Sequence, residues 1–474
     1  MRSEAKHLAI ATMMAIACQA LAAAGGTKIE PAHRPELVEP VQRLVEEHLP
    51  ALTTFYRECH ENPELSLHEE KSAARLADRL RAEGYDVTTG VGGTGVVAVM
   101  KNGDGPTLLI RADTDALPVT EETGLPYASK VTATQPDGTK TGVMHACGHD
   151  THQTVLVGTS RVLARLKDRW RGTVVLIGQP AEEFGQGAQN MIADGLFDRF
   201  PRPDACIALH VSGSKPAGTT IYTPGWSSAN VDSVDITIRG RGGHGAAPDK
   251  TVDPIVTAAH VIVALQTIVS RRVDPIEPAV VTVGSIHGGS KHNIIPDEVK
   301  LQLTVRSYSD EVRKLLLHSI RQITVDTCRA MGCTEEPIVN LSEDTFTAAC
   351  YNDPALTAEA AGIFKAVFGD ENVVEERPRM GGEDFGEYAR RLNVPGFMFN
   401  LGTAPRDSYE ASLKPGGPVL PAVHSSRYAP DLEPSLRTGV RAMSALALAI
   451  LDPAGNAKTQ KRKNAETKDK GAAN

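Results

Sequence analysis

Three short apolar runs in this chain each end in residues that bind metals or carry protons. Leu108–Ile110 leads into Arg111-Ala112-Asp113-Thr114-Asp115, Val174–Ile177 leads into Gln179-Pro180-Ala181-Glu182-Glu183, and Cys206–Leu209 closes on His210. Runs this short and apolar read as strands buried on both faces. Helical spacing surrounds them, at Arg57–Glu83 (Leu67, Ala73, Leu76 and Leu80, ended by Gly84) and at Thr154–Lys167, and Gly95–Met100 adds another strand-like run. Strands separated by helices predict an α/β fold with a largely parallel or mixed sheet covered on both faces. Ligands gather at the carboxyl ends of strands in such sheets, so these strand ends predict a single site along one edge.

A second segment begins near Ser227 and has a different order. Val231–Arg239 alternates as a strand, a Gly-rich turn follows, and Val252–Ser270 reads as a long apolar helix. Val280–Ile286 and Val299–Val305 read as strands and Asp310–Ala330 as a helix. This β-α-β-β-α unit carries its own apolar faces and reads as an insertion, because the first style resumes near residue 338. The expected layout is a catalytic domain over 37–226 and 338–452, interrupted by a smaller α+β domain over 227–337. A length of 474 residues agrees with two or three domains at roughly 150 residues each.

The balance of 50 Lys+Arg against 58 Asp+Glu leaves a net charge of −8, which offers nothing to nucleic acid or an anionic membrane. Aromatics at 4% weaken any base-stacking role, so the expected partner is a small molecule. Seven cysteines without a CxxC pair form neither a disulfide scaffold nor a zinc ribbon, and Cys328 with Cys333 is the nearest pair in sequence. Residues 1–24 read as an export leader: Arg2 and Lys6 precede an apolar stretch from Leu8 to Leu21, and small residues at Ala20 and Ala22–Ala24 offer cleavage points. Ala15-Ile16-Ala17-Cys18 also loosely matches a lipid-attachment motif, but export to the periplasm is the favoured reading. After Leu21 no apolar run reaches about 18 residues, which excludes a multispan protein. Residues 453–474 read as a disordered basic tail.

The densest chemistry lies in His145-Ala146-Cys147-Gly148-His149-Asp150-Thr151-His152, which packs three histidines, a thiol and a carboxylate into eight residues. Those are borderline and soft metal donors. The same residues also fit a capped helix start at Asp150-Thr151 with surface histidines, or a cysteine nucleophile with a histidine base. The adjacent carboxylates Glu182 and Glu183 are costly at a buried strand end unless positive charge faces them, and a pair of metal ions would supply it. Taken alone they would be a solvated turn.

At this point the sequence resembles the di-metal aminoacylase and carboxypeptidase family, in the branch of hippurate hydrolases and plant auxin-conjugate amidohydrolases. The matching blocks are RADTDALP (111–118), MHACGHDTHQT (144–154), QPAEEFGQGAQNMIADGLF (179–197), IRGRGGHGAAPDKTVDPIVTAAH (238–260), NIIPDE (293–298) and MGGEDF (380–385). The resemblance runs over about residues 37–450 with the blocks in family order. It implies a zinc-peptidase-like α/β catalytic domain with an inserted lid that often mediates dimers or higher homo-oligomers. It also implies two divalent ions, of zinc, manganese, cobalt or nickel. Cys147 would bridge them, His149 and His210 would complete one site, and Glu183 with His424 the other. His424 lies in PAVHSSRYAPDLE, which departs from the usual His-Ser-Pro ending, and the stretch Asp407–Pro421 before it looks longer than usual.

The resemblance makes Glu182 the general base and Asp115 the acceptor that orients a ligand histidine, with Asp113 in a similar role or a strand-end cap. His244 would donate to the developing oxyanion, sometimes across a dimer. Asn293 and Arg306 would contact substrate, and Glu383 with Asp384 would support the metals. The implied activity is hydrolysis of N-acyl amino acids by a metal-activated water. A dipeptidase or carboxypeptidase using the same centre is the alternative enzyme, and a metal-bound ligand-binding protein the non-enzyme one.

Overall fold

In the computed structural model, residues 33–135, 138–341 and 346–452 are described. The leader at 1–24 with Cys18 and the basic tail at 453–474 lie outside the described residues. The first layer of helices comprises α1 (Val38–Glu61) and α2 (Glu70–Ala82). Strands β1 (Asp86–Val91), β2 (Gly95–Asn102) and β3 (Thr107–Asp113) follow, then α3 (His149–Arg165). After α3 come β4 (Gly172–Gln179), β5 (Ala205–Pro216) and β6 (Thr220–Tyr222).

The inserted unit contains β7 (Asn230–Arg239), α4 (Pro254–Arg271), β8 (Ala279–Gly288), β9 (Glu298–Ser307), α5 (Asp310–Ala330) and β10 (Ile338–Leu341). The chain then returns with α6 (Pro354–Phe368), β11 (Val373–Glu375), β12 (Gly396–Ala404) and α7 (Leu432–Ile450).

The large sheet has eight strands in the order β1-β2-β4-β3-β5-β12-β6-β11. Its centre, β4-β3-β5-β12, is parallel, while β1-β2, β2-β4 and β12-β6 are antiparallel. The fold is therefore a mixed α/β sheet. Strand residues divide between two cores by parity: Leu108, Ile110, Val174, Leu176, Ile207 and Leu209 pack with α1, α3 and α7, whereas Leu109, Val175, Ile177, Cys206 and Ala208 pack beneath Met191, Phe385 and Tyr388. Burial on both faces is why these strands read as unbroken apolar runs.

The smaller sheet is antiparallel, β8-β9-β7-β10, with α4 and α5 on one face. Caps start its helices: Asp253 accepts from the Ile255 and Val256 amides with Pro254 at the first helical position, and Ser309 accepts from Val312. By length and composition α4 is apolar enough to cross a membrane, and it seats Ala258, Val261, Leu265 and Ile268 in the core of this unit.

Two sequence expectations need correction. The helical spacing over Arg57–Glu83 is broken, because α1 ends at Glu61 and α2 begins at Glu70. Pro63 has no amide proton and disfavours helical backbone at Asn62, which sits at φ −131°. Glu64 turns back instead to accept from the Lys71 and Ser72 amides at the start of α2. Leu67, counted in the helical stripe, sits at φ +70° and is 48% exposed. The second correction is the boundary at 337, because Ile338–Leu341 pairs with Thr237–Val234 and belongs to the smaller sheet. Cys328 and Cys333 are both free thiols.

Candidate metal centre

The parallel strands β3, β4 and β5 deliver their chemistry to the same edge, as their common direction requires. β3 ends at Asp113, β4 runs into Glu182-Glu183, and His210 lies in β5 opposite Asn400 of β12. Cys147 and His149 arrive by a turn at Gly148, which caps α3 with φ +76°. A Cβ there would stand 2.5 Å from Val211 Cγ2, so the turn requires glycine. Asp150 and Thr151 are thus not the cap, and His145, His149 and His152 are all at most 2% exposed rather than surface residues.

Around Cys147 the donors converge. Its Sγ lies 3.3 Å from His210 Nε2 and 3.2 Å from His424 Nε2. His424 Nε2 is 3.5 Å from Glu183 Oε1, and His149 Nε2 is 3.9 Å from both Glu182 and Glu183. Two donor groups result, Cys147/His149/His210 and Cys147/Glu183/His424, with Cys147 common to both and ligand atoms within 4.8 Å of one another. Despite its altered surroundings, His424 is pinned by its amide to the Ala146 carbonyl at 2.8 Å, with φ +68°.

In His149 and His210 the second ring nitrogen is committed elsewhere. His149 Nδ1 donates to the Asp115 carbonyl at 2.8 Å, and His210 Nδ1 to the Val211 carbonyl at 2.7 Å. In the neutral rings each Nε2 presents its lone pair toward the thiol, the arrangement that metal-binding histidines use. His149 Nε2 and Glu183 Oε1 are buried and lack a hydrogen-bond partner among the described residues, which is costly unless a cation takes them. His152 differs: Nδ1 donates to Asp113 at 2.6 Å and Nε2 accepts from the Val211 amide at 2.9 Å. With both nitrogens used it is a prop between β3 and β5, although it stands near Asp113 and His149.

The charge balance also calls for cations. Asp113, Asp115, Glu182, Glu183, Glu383 and Asp384 crowd around a single buried guanidinium, Arg111, which pairs with Asp113 at 2.7 Å and with Glu383 and Asp384 at 3.0 Å. Burial pushes the Glu183 carboxyl up to about 7, and burial beside Glu383 and Asp384 pushes Glu182 well above the ordinary carboxylate range. Divalent cations would return both to the ionised form. A mixed thiolate, imidazole and carboxylate set suits zinc-like and first-row ions. The residues present fit a pair of such ions.

Of the other sequence candidates, Asp115 lies in the cluster: its Oδ2 accepts from the Ser66 hydroxyl at 2.6 Å and the Glu183 amide at 3.1 Å. His244 and Asn293 do not. They sit exposed on a small hairpin of the inserted unit, where the Gly245 amide donates to the Asn293 carbonyl, and neither touches the Cys147 cluster. Arg306 is half-buried on β9, with its guanidinium 3.9 Å from where a Cβ on Gly382 would lie. It therefore faces the catalytic unit beside Glu383.

Sequence reasoning missed several supports. Arg111 stood in a quoted block, but nothing in an isolated strand marks an arginine as an internal cation. His60 bridges Asp150 at 2.7 Å and Glu121 at 3.1 Å, holding the start of α3 to the loop after β3. The wholly buried Glu69 accepts from the amides of both Leu67 and Ala181, each at 2.9 Å, and so fixes the residue preceding Glu182. Glu69 is 112 positions from Ala181 and His60 is 90 positions from Asp150, so no local signal could identify these supports.

His145 generates a pH prediction. Both its ring nitrogens are buried without a hydrogen-bond partner among the described residues, and burial pushes its pKa from 6.5 down to about 4. The unfolded chain binds a proton near 6.5 that the folded protein refuses until about pH 4, so stability is full above 6.5 and falls as pH drops through that window. At pH 5 the loss is about 2 kcal/mol. In urea unfolding at pH 7 and pH 5, His145→Leu should lose about that much less than the parent. Equal losses in the two proteins would show that His145 does not cause the acid sensitivity.

Residues 109–415 match the sequence profile described as Peptidase family M20/M25/M40. The chain is 37% identical to thermostable carboxypeptidase 2 of Saccharolobus solfataricus over 417 residues, covering 87% of this chain and 98% of that one. It is 39% identical to the hippurate hydrolase of Campylobacter jejuni over 334 residues, covering 69% of this chain and 82% of that one. The fold is similar to the crystal structure of Bacillus subtilis YXEP protein, described as a dinuclear metal binding peptidase from the M20 family, with a TM-score of 0.68, 29% identity, and coverage of 86% of this chain and 99% of that one. The profile match and the near full-length relatives place this chain in peptidase family M20/M25/M40.

Proposed function

We propose that this protein is an exported di-metal amidohydrolase that cleaves N-acyl amino acids into a carboxylic acid and a free amino acid. The observation that carries the reading is the pair of donor groups sharing Cys147, with Glu182 beside them and in neither. In this reading Cys147, His149 and His210 hold one cation, and Cys147, Glu183 and His424 hold the other. Two divalent ions bound there would polarise the amide carbonyl and acidify the attacking water.

The protein's own residues do the rest. Glu182 accepts the water's proton and returns it to the departing nitrogen, a role that suits a carboxylate held near the cluster but free of a ligand's duty. Asp115 keeps His149 oriented through its carbonyl and, through Oδ2, holds the Glu183 amide. Arg306 grips the substrate carboxylate with charge-assisted bonds from the inserted unit, whereas Asn293, on the same exposed hairpin as His244, contacts substrate only from a second subunit. Names of relatives support the reaction class, including hippurate hydrolase and an IAA-amino acid hydrolase of Arabidopsis thaliana that is 34% identical over 391 residues. The carboxypeptidase name of the Saccharolobus relative supports peptide cleavage as the second reading, by the same centre.

His244 is exposed and remote from the cluster in a single chain, so its oxyanion role requires a second subunit. A homodimer through the inserted unit is supported by the free edge of β8 and by exposed Val256, Val263, Ile286 and Ile294. Residues 1–24 support export to the periplasm, with lipid attachment at Cys18 as the other outcome.

Activity should be read by amine release from N-acetyl, N-benzoyl and indoleacetyl amino acids and from dipeptides, with and without chelator. Chelator should abolish cleavage. Glu182→Ala should lose at least about a thousandfold in kcat with metal content near normal, whereas Cys147→Ala should lose metal as well. A Glu182→Ala protein that kept most of its activity would remove Glu182 as the base, and chelator-resistant cleavage would return Cys147 to the role of nucleophile. Mixing inactive Glu182→Ala and His244→Ala proteins should restore up to about a quarter of the sites, the statistical share of one intact composite site per mixed dimer. No recovery after subunit exchange would place His244 within its own chain. The mature protein should begin just after residue 24, read by N-terminal sequencing of the periplasmic fraction; a start at Cys18 with a lipid mass would favour anchoring.

A further inference from the structure

Beside the metal cluster runs a cleft of about 590 Å³ lined by the 63–68 segment, the 131–135 strand region, Val143 and Phe184. Its volume lies in the range of small-molecule sites. Two large apolar side chains border it while exposed to solvent, Leu67 at 48% and Phe184 at 60%. Both are unusual. Phe184 directly follows Glu183, and Leu67 holds φ +70°, a backbone region that leucine normally avoids.

The cleft wall and the metal cluster share hydrogen-bond partners. Ser66 donates to the same Asp115 oxygen that receives the Glu183 amide. One oxygen of Glu69 receives both the Leu67 and the Ala181 amides. Leu67 is thereby set in register with Glu182, and the cleft opens beside the reacting centre. Its chemistry is equally restrictive: no Lys or Arg lines it, and its one carboxylate, Glu64, is occupied by the Lys71 and Ser72 amides. It offers no Lys or Arg to a substrate carboxylate, only the His68 imidazole and the neutral Thr134 and Gln135 side chains, and its one carboxylate already holds two backbone amides.

We propose that this cleft is the acyl subsite, built for an uncharged apolar acyl group larger than acetyl, with Leu67 and Phe184 as its contact residues. The inference rests on the amidohydrolase reading above. It puts the acyl group on the Leu67–Phe184 side and the substrate carboxylate on the Arg306 side. It also makes the site discriminate against dipeptides, whose free ammonium would enter an apolar cleft where the only lining carboxylate, Glu64, is already engaged by the α2 amides.

The test uses metal-reconstituted Glu182→Gln protein and calorimetric binding of 4-methylpentanoylglycine, leucylglycine and acetylglycine. The first two ligands differ only by an α-amino group. 4-Methylpentanoylglycine should bind on the order of tenfold tighter than either of the others. Its advantage over acetylglycine should shrink to about threefold or less in Leu67→Gly and in Phe184→Ala backgrounds. Glycine relieves the left-handed backbone at 67, so Leu67→Gly should keep or raise the thermal midpoint, which separates lost contact from lost fold. An advantage unchanged in both variants, or leucylglycine binding as tightly as its desamino analogue, overturns the assignment. Turnover of the same ligands by the unmodified enzyme is read separately. Apolar acyl binding without any turnover would sink the amidohydrolase reading and leave the cleft's selectivity standing.

Discussion

Arg111 lies in the middle of the large sheet with its side chain wholly buried, and everything at the strand edge is arranged around it. Its guanidinium bonds Asp113 on its own strand, Gln179 at the end of β4, and Glu383 and Asp384 on the loop after β11. Gln179 in turn donates to both Asp384 oxygens and accepts from the Tyr388 hydroxyl. Removing one partner of such a buried pair costs about 3–5 kcal/mol, because the remaining charges are left uncompensated. That network is what lets a carboxylate-rich site exist inside a protein interior. Asp113 is neutralised on one side by Arg111 and so can hold His152 on the other, and His152 places the Val211 backbone beside His210.

The site draws on strain as well as charge. Four residues other than glycine adopt positive φ among those described, and three of them, Leu67, Ala181 and His424, surround the metal cluster. Conformations of this kind cost on the order of 1–3 kcal/mol each and persist where the surroundings over-determine them. Here the determinants can be named: Glu69 holds the amides of Leu67 and Ala181, and the Ala146 carbonyl holds that of His424. The result is a cluster in which His149, His210, Glu183 and His424 are each held by a group that is not itself a ligand. Such preorganisation is what metal binding and catalysis require.

Legibility followed the range of the interactions. Strand positions were readable because burial on both faces writes an apolar run directly into the chain, as at Val174–Ile177. Helices with proline and aspartate caps, such as Pro254–Arg271, were readable within a residue or two. The stripe over Arg57–Glu83 misled because periodicity does not see Pro63, whose missing amide ends the helix, and it placed Leu67 in a core that Leu67 does not enter. The strand Ile338–Leu341 was misplaced because pairing with β7 is a contact across about a hundred residues, which no local pattern records.

By itself the sequence determined the α/β class, the donor types and the motif blocks that name the family, because these depend on residue chemistry and local spacing. Only the tertiary structure decided which donors meet. His424 reaches Cys147 across 277 positions, Arg111 reaches Asp384 across 273, and His244 is left on an exposed hairpin. It also decided that Leu67 and Phe184 border one cleft beside Glu182 and Glu183. Such convergence depends on the order and direction of strands in the sheet. That order is set by the summed burial of the whole chain, and no short stretch of it carries the information.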